Sequence, residues 1–249
     1  DDNDLDAVGK DSNVVIEKEN QKAIIRYVST NGNRVLTTDE VTGKSGEAIA
    51  YSTTSQITEF KKQGYNLVSD EFTAGGAKVY DYDTARDQVY TVTLSERVEP
   101  VNPDNPTPQP NTPVNPGQPD SPRWPGTVEN LDNKESVSRT IHYVYEDGSK
   151  AKDDVVETLN FKRWSRINLV TGQIFFQDWT TNDDTFDKVV SPTIAGYTAD
   201  KSEIPAVSGV QAKDQDRVET VTYRKDAQKA VIRYVSTNGN RVLTTDEVT

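Results

Sequence analysis

QKAIIRYVSTNGNRVLTTDEVT, residues 21–42, decides the reading of this chain, because it returns at 228–249 as QKAVIRYVSTNGNRVLTTDEVT, with only Ile24 changed, to Val231. Residues 24–36 alternate β-branched or aromatic residues with polar ones, the pattern of a half-buried strand. Asn31-Gly32 sits between two such runs and predicts a hairpin, since a type I′ turn needs positive φ at both central residues. Two copies 207 residues apart predict a tandem array, of which this chain is one full repeat and the first strands of the next. The lack of any Met, of a signal peptide and of an apolar run near 18 residues agrees with an internal piece of a larger polypeptide.

A second hairpin lies further along at a constant offset of 116. Ile25-Arg26-Tyr27-Val28 corresponds to Ile141-His142-Tyr143-Val144, and Asn31-Gly32 to Asp147-Gly148. After the first hairpin, residues 53–64 predict a short helix. Thr53 stands as the cap with Gln56 three residues on, Ile57 and Phe60 share a face, Lys61 and Lys62 lie near the end, and Gly64 stops the turn. Gly64-Tyr65 has a counterpart in Gly196-Tyr197, and Val89–Leu94 is nearly matched by Val218–Tyr223. Hairpin, helix, further strands and a closing strand is the order of a β-grasp, whose last strand runs parallel to its first. Val14–Glu19 sits 207 residues before Val221–Asp226 and predicts the closing strand of a preceding unit. The C-terminal hairpin, without the rest of its domain, is expected to fray or to pair with a neighbour's edge strand.

Ten of the twelve prolines fall between Pro100 and Pro125. Proline at every second or third position removes ladder donors and favours polyproline II, so this stretch predicts a semi-rigid spacer of roughly 80 Å if fully extended. The expected organisation is a closing segment over 1–20, a first β-grasp domain over 21–98, a Pro/Asn-rich linker over 99–128, a second β-grasp domain over 129–225 and an opening hairpin over 226–249.

Composition narrows the function. Hydrophobic residues make up 33% and mean hydropathy is -0.76, polar for a globular chain, but the strand patterning argues against disorder. A formal charge of -12 argues against nucleic acid or an anionic membrane surface as partner. With no Cys there are no disulfides, thiol nucleophiles or thiolate metal sites. The one His, His142, lies inside a strand pattern without a local Ser or Asp constellation, and no carboxylate pair stands out as acid and base. The chain reads as a non-enzyme, with no small-molecule substrate and no required cofactor. Calcium is the one ion to consider. Asp2-x-Asp4-x-Asp6 has calcium-loop spacing, but Ala7 stands where Gly is wanted; Asp81-x-Asp83 and the cluster Asp183, Asp184 and Asp187 are weaker candidates.

Phe161–Trp179 is the most informative stretch for binding. A turn at Thr171-Gly172 would set Trp164 opposite Trp179 and Arg166 opposite Gln177, gathering Lys162, Trp164, Arg166, Gln177 and Trp179 on one face. Aromatic faces receive sugar C–H groups while Arg, Lys and Gln donate to hydroxyls and carboxylates. Residues 161–166 hold three cations and no acid, the local basic patch that an acidic protein needs to hold sialylated or sulfated sugars. The competing reading is structural, because a cross-strand Trp pair stabilises a hairpin by itself. Trp124 is expected to dock the linker onto the second domain.

RTIHYVYEDGSKAKDD, DWTTNDDTFDKVVSPTIAGYTADKSEIPAV and VETVTYRKDAQKAVIRYV resemble the mucus-binding (MUB) repeats of cell-surface adhesins from lactobacilli. The resemblance runs nearly continuously over residues 21–249. It implies a β-rich α+β fold of two ubiquitin-like β-grasp domains in an elongated arrangement, export, attachment to a Gram-positive cell wall and adhesion to mucin glycoproteins. Two other classes stay open: an immunoglobulin-binding module working through a sheet edge, and a passive stalk.

Overall fold

In the computed structural model, which describes residues 17–249, the opening segment forms the expected hairpin of β1 (Asn20–Ser29) and β2 (Val35–Lys44). The Asp2-Asp4-Asp6 spacing and most of the segment expected to close a preceding unit lie outside the described residues. The turn is not type I′. Ser29 N–H reaches Arg34 O across a four-residue loop, and the positive φ values fall on Gly32 (72°) and Asn33 (51°), one position later than expected. The second hairpin also departs from type I′: Gly148 N–H bonds Tyr145 O, and Gly148 alone takes positive φ, in a three-residue loop.

Two units divide the chain: one runs to Leu131 and includes Trp164–Phe176, the other comprises Asp132–Arg163 and Gln177–Thr249. In the first, β1 lies between β2 and the parallel closing strand β4 (Gln88–Glu96), and β3 (Tyr65–Asp70) pairs antiparallel with β4 on the far edge. The parallel closing strand is the relation predicted from sequence. Ala23, Ile25 and Tyr27 point to one side of β1 and are fully buried. Helix α1 (Thr54–Lys62) covers that side with Ile57 and Phe60, the Phe60 ring lying 5.6 Å from that of Tyr27. Each such side chain contributes roughly 1.5–3 kcal/mol through burial. The Thr53 side chain makes no capping bond; its hydroxyl donates instead to Asp70 Oδ2 on β3 at 2.6 Å, tying the helix start to the sheet.

The proline-rich stretch is not an extended spacer. It opens as β5 (Val98–Val101) and then folds back on itself. Val114 N–H bonds Pro122 O, Asn111 N–H bonds Trp124 O, and Trp124 N–H bonds Thr112 O. Proline lacks a donor but keeps its carbonyl, so the interspersed Asn, Val and Trp supply the N–H groups. Val114 and Trp124 pack on a small core of Val101, Val128, Leu131, Ile167 and Leu169, so Trp124 docks within the first unit, not onto the second.

Two strands of that core come from later in the chain. After β6 (Lys134–Tyr145) and β7 (Lys150–Lys162) of the second unit come β8 (Ser165–Asn168) and β9 (Ile174–Phe176), which join β5 in a three-stranded sheet of order β5-β8-β9. The expected linker at 99–128 and second domain at 129–225 are therefore not separate bodies. Residues 99–131 and 164–176 both belong to the first unit.

The second unit repeats the first sheet's plan. β10 (Val189–Val190), β11 (Tyr197–Ala199) and β12 (Glu203–Ile204) are short; β13 (Arg217–Lys225) closes the sheet parallel to β6, giving the order β11-β13-β6-β7. Among the described residues this unit has no α-helix. Phe186, Ile204, Val210 and Ala212, on irregular backbone and short strands, cover the sheet. The chain closes on a separate two-stranded ladder, β14 (Ala230–Val235) and β15 (Val242–Val248). No helix among the described residues is long and apolar enough to cross a membrane.

Candidate functional site

The hairpin expected around Thr171-Gly172 forms, but in a different register. Asn168 sets it. Its Oδ1 accepts the N–H groups of Val170 and Thr171, its own N–H bonds Gln173 O, and Gly172, at φ 77°, returns its N–H to Asn168 O. This Asn-initiated loop is centred one residue earlier than a Thr171-Gly172 turn. Arg166 consequently faces Phe175, not Gln177, and Ser165 faces Phe176. The predicted pairing of Trp164 with Trp179 belongs to a register that does not form.

A different face results. β5 places Pro100 opposite Arg166 on the other side, so Pro100, Arg166 and Phe175 form one cross-strand row. Trp164 precedes Arg166 by two residues. Trp164 is 42% and Phe175 46% exposed, large values for aromatics, while Ser165 and Ile167 of β8 are fully buried. Arg166 is exposed and has no ion-pair partner among the described residues. Its nearby acids are engaged: Glu99 receives two bonds from Arg97, at 3.0 and 3.1 Å, and Glu96 accepts from Asn168 and Asn31. The row thus presents two aromatic rings, a proline and an uncompensated guanidinium.

Trp179 has a different setting, inside the second unit. It is half-buried against Val137, Leu159, Phe161 and Phe186, with the Arg163 guanidinium 4.1 Å above its ring and Lys213 Nζ 5.8 Å from it. Arg163 bonds Asp132 through its Nε to the carbonyl and its Nη2 to the carboxylate, and Lys213 bridges Asp132 and Glu135. Burial works to raise the Asp132 pKa, but the Lys213 hydrogen bond and the nearby cations outweigh it and hold the carboxyl below its ordinary value. This is a packed, ion-braced aromatic.

Lys162 ends β7, opposite Lys134 on β6 and bridged by backbone to Thr180. It lines a groove of about 790 Å³ with Lys134, Asn160, Thr181, Asn182 and Asp183, all within the second unit. Gln177 is exposed in the same unit. Asp183 and Asp184 cap their loop through the N–H and hydroxyl of Thr185, while Asp187 N–H donates to Glu157. Among the described residues no three acidic or imidazole groups gather in a metal-holding cluster. His142 pairs with Asp154 at 2.9 Å on the exposed side of the sheet. Sequence reasoning missed Phe175 and Pro100; Asn168 four residues before Gly172 was the signal that located the true turn.

A family model described as a mucin binding domain matches residues 21–96, and one described as a Muc B2-like domain matches residues 128–227. The chain belongs to the mucus-binding (MUB) repeat family. Among solved structures, this MUB repeat is similar to the type 2 repeat of the mucus binding protein MUB from Lactobacillus reuteri, at 28% identity over 83% of this chain and 100% of that one, with a TM-score of 0.53. It is similar also to Mub-RV, at 26% identity with the same coverage and a TM-score of 0.65. No curated protein sequence matches. The Muc B2-like match includes Trp164–Phe176, which fold into the first unit.

Proposed function

We propose that this chain is a non-enzymatic adhesin repeat with two β-grasp-like units, carried on the wall of a Gram-positive cell, that binds mucin glycans weakly per repeat and tightly in tandem. The observation that carries the reading is the row Pro100–Arg166–Phe175 with Trp164 beside it, an aromatic platform holding a cation without an acid. Trp164 and Phe175 receive the apolar faces of sugar rings, and Arg166 pairs with the carboxylate of sialic acid or with a sulfate. Lys162 and Gln177, on the other unit, offer polar contacts of the same kind; Trp179 braces that unit. Millimolar to high-micromolar dissociation constants, about -4 to -6 kcal/mol, fit so small a platform. Tandem copies meeting many glycans on one mucin multiply that affinity.

The test is binding of the purified chain to immobilised mucin, before and after removal of sialic acid, at two salt concentrations and with and without EDTA. Arg166→Gln is expected to weaken binding about tenfold and to reduce its salt dependence, and Trp164→Ala with Phe175→Ala to weaken it further, with the circular dichroism spectrum unchanged. Loss of signal with EDTA would show that binding needs a divalent cation. Mucin binding untouched by all three substitutions would refute this site. Immunoglobulin capture that persists in these variants but fails when an edge strand is blocked would favour the sheet-edge reading, and no binding to either would leave a stalk.

A further inference from the structure

In each unit the chain enters and leaves at opposite ends of a parallel strand pair. In the first, Ala23–Ser29 of β1 lie beside Gln88–Leu94 of β4 in seven registered pairs, and the chain enters at the Ala23 end. A single residue separates the end of β4 from β5, Leu169 N–H bonds Arg97 O, and Asn168 donates to Glu96, so the β5-β8-β9 sheet is fixed at the other end. The three chain connections to the second unit, after Leu131, before Trp164 and after Phe176, all leave from that sheet and its core. In the second unit, Arg139–Tyr145 of β6 lie beside Arg217–Tyr223 of β13, again in seven pairs. Its connections arrive at Asp132, Arg163 and Gln177. Arg163 N–H bonds Asn133 O and Thr180 is bridged to Lys162, which gathers them at the Lys134 end of β6. The chain continues from Lys225, at the far end of the pair.

A pull along the chain therefore slides the two strands of each pair past one another. The ladder bonds run across that direction, so they carry the load together and must fail together. The side chains locked beneath them fail with them: Ile25, Tyr27, Val92 and Leu94 in the first unit and Ile141, Tyr143, Val221 and Tyr223 in the second, each 1% exposed or less. Pulled apart from one end, the same bonds would open one after another, each a small step.

We infer that each unit is a shear clamp, and that bearing tension is a function of this repeat beside binding. The source of the tension, a wall-held chain adhering to mucin, is taken from the proposed function; the clamp itself does not depend on it. Tandem weak sites share a load only while the chain between them keeps its length. A unit that opened at low force would slacken the chain and shift the load to the next site. Resistance to force is set by the unfolding rate, so a clamp acts without raising equilibrium stability.

Single-molecule pulling through pairs of introduced cysteines tests it, since no native Cys competes for the handles. In the full chain, Glu19→Cys with Ser95→Cys loads β1 and β4 from opposite ends, and Thr30→Cys with Ser95→Cys loads them from the same end. Lys134→Cys with Lys225→Cys and Glu146→Cys with Lys225→Cys make the same comparison for β6 and β13. At one loading rate the opposite-end chains are expected to unfold at several-fold higher force than their same-end counterparts, with equal denaturant midpoints before handles are attached. The inference is overturned if either unit yields at the same force in both geometries, or if the difference in force follows a difference in midpoint. Failure of mucin binding in the unpulled chain would refute the glycan reading and leave these forces unchanged.

Discussion

The two units build the same four-stranded sheet and cover it by different means, and position 23 of the first against position 139 of the second shows how. At the offset that aligns the hairpins, the fully buried Ala23 corresponds to Arg139, 1% exposed. Over Ala23 the first unit lays a helix, which satisfies its own backbone. The second unit's cover is irregular, and its carbonyls need donors from elsewhere. Arg139 supplies them: Nη1 bonds Pro205 O at 2.8 Å, Nη2 bonds Asp187 O, and the guanidinium lies 5.2 Å from the Phe186 ring and near Glu157. A planar cation with five donors does for a loop what a helix does for itself. The lesson is that a shared sheet constrains its cover only through the residue beneath it.

The largest effect should come from removing that residue. Arg139→Met leaves two carbonyls unpaired and is expected to cost the second unit about 4 kcal/mol while leaving the first unit intact. Residue-resolved hydrogen exchange would show it, with β13 deprotected and β4 unchanged; equal loss in both would mean the units are not separately stabilised. Phe60→Ala probes the other cover. It empties the helix face and should cost the first unit about 3–4 kcal/mol, read from the denaturant midpoint, with β6 and β13 unaffected.

Gly64→Ala is a smaller test. Gly64 sits at φ 104°, and an added Cβ would come within 2.8 Å of the Leu169 carbonyl carbon, so both strain and contact oppose it. A loss of about 1–2 kcal/mol is expected, with chemical-shift changes reaching the Asn168–Gly172 loop. A silent Gly64→Ala would contradict the close packing of that loop on the helix end. The smallest effect is acid sensitivity. Because the Asp132 carboxyl titrates below its ordinary 3.8 in the folded unit, its contribution is full above that value and is lost as pH falls through the lowered one. The Trp179 indole resonance should move in that window, and in an Asp132→Asn chain it should not.

Local signals in the sequence carried far. The hairpins, the closing strands, the helix and its buried Ile57 and Phe60 follow from alternation and from paired Gly and aromatic positions, all short-range. What failed was long-range. Ten prolines looked like a rod because proline's missing donor is visible in sequence, whereas the carbonyl of Pro122 and the donor of Val114 that close the fold-back are not visible as a pair. The hairpin around Thr171-Gly172 forms where the sequence places it, but its register hangs on whether Asn168 or Gly172 governs the turn, and the wrong choice exchanges Phe175 for Gln177 opposite Arg166. Nothing in the sequence marks Arg139 as buried, because arginine on an alternating strand is usually exposed.

The three-stranded sheet of β5, β8 and β9 also bears on inheritance. A recombination joint placed anywhere between Val101 and Phe176 would part Val101 from Ser165 or Ser165 from Phe176, and so break one body while trying to exchange another. The two family domains cannot be shuffled like beads. A duplication that keeps every sheet whole must copy from one opening hairpin to the next, which is the 207-residue period that the repeated segment records.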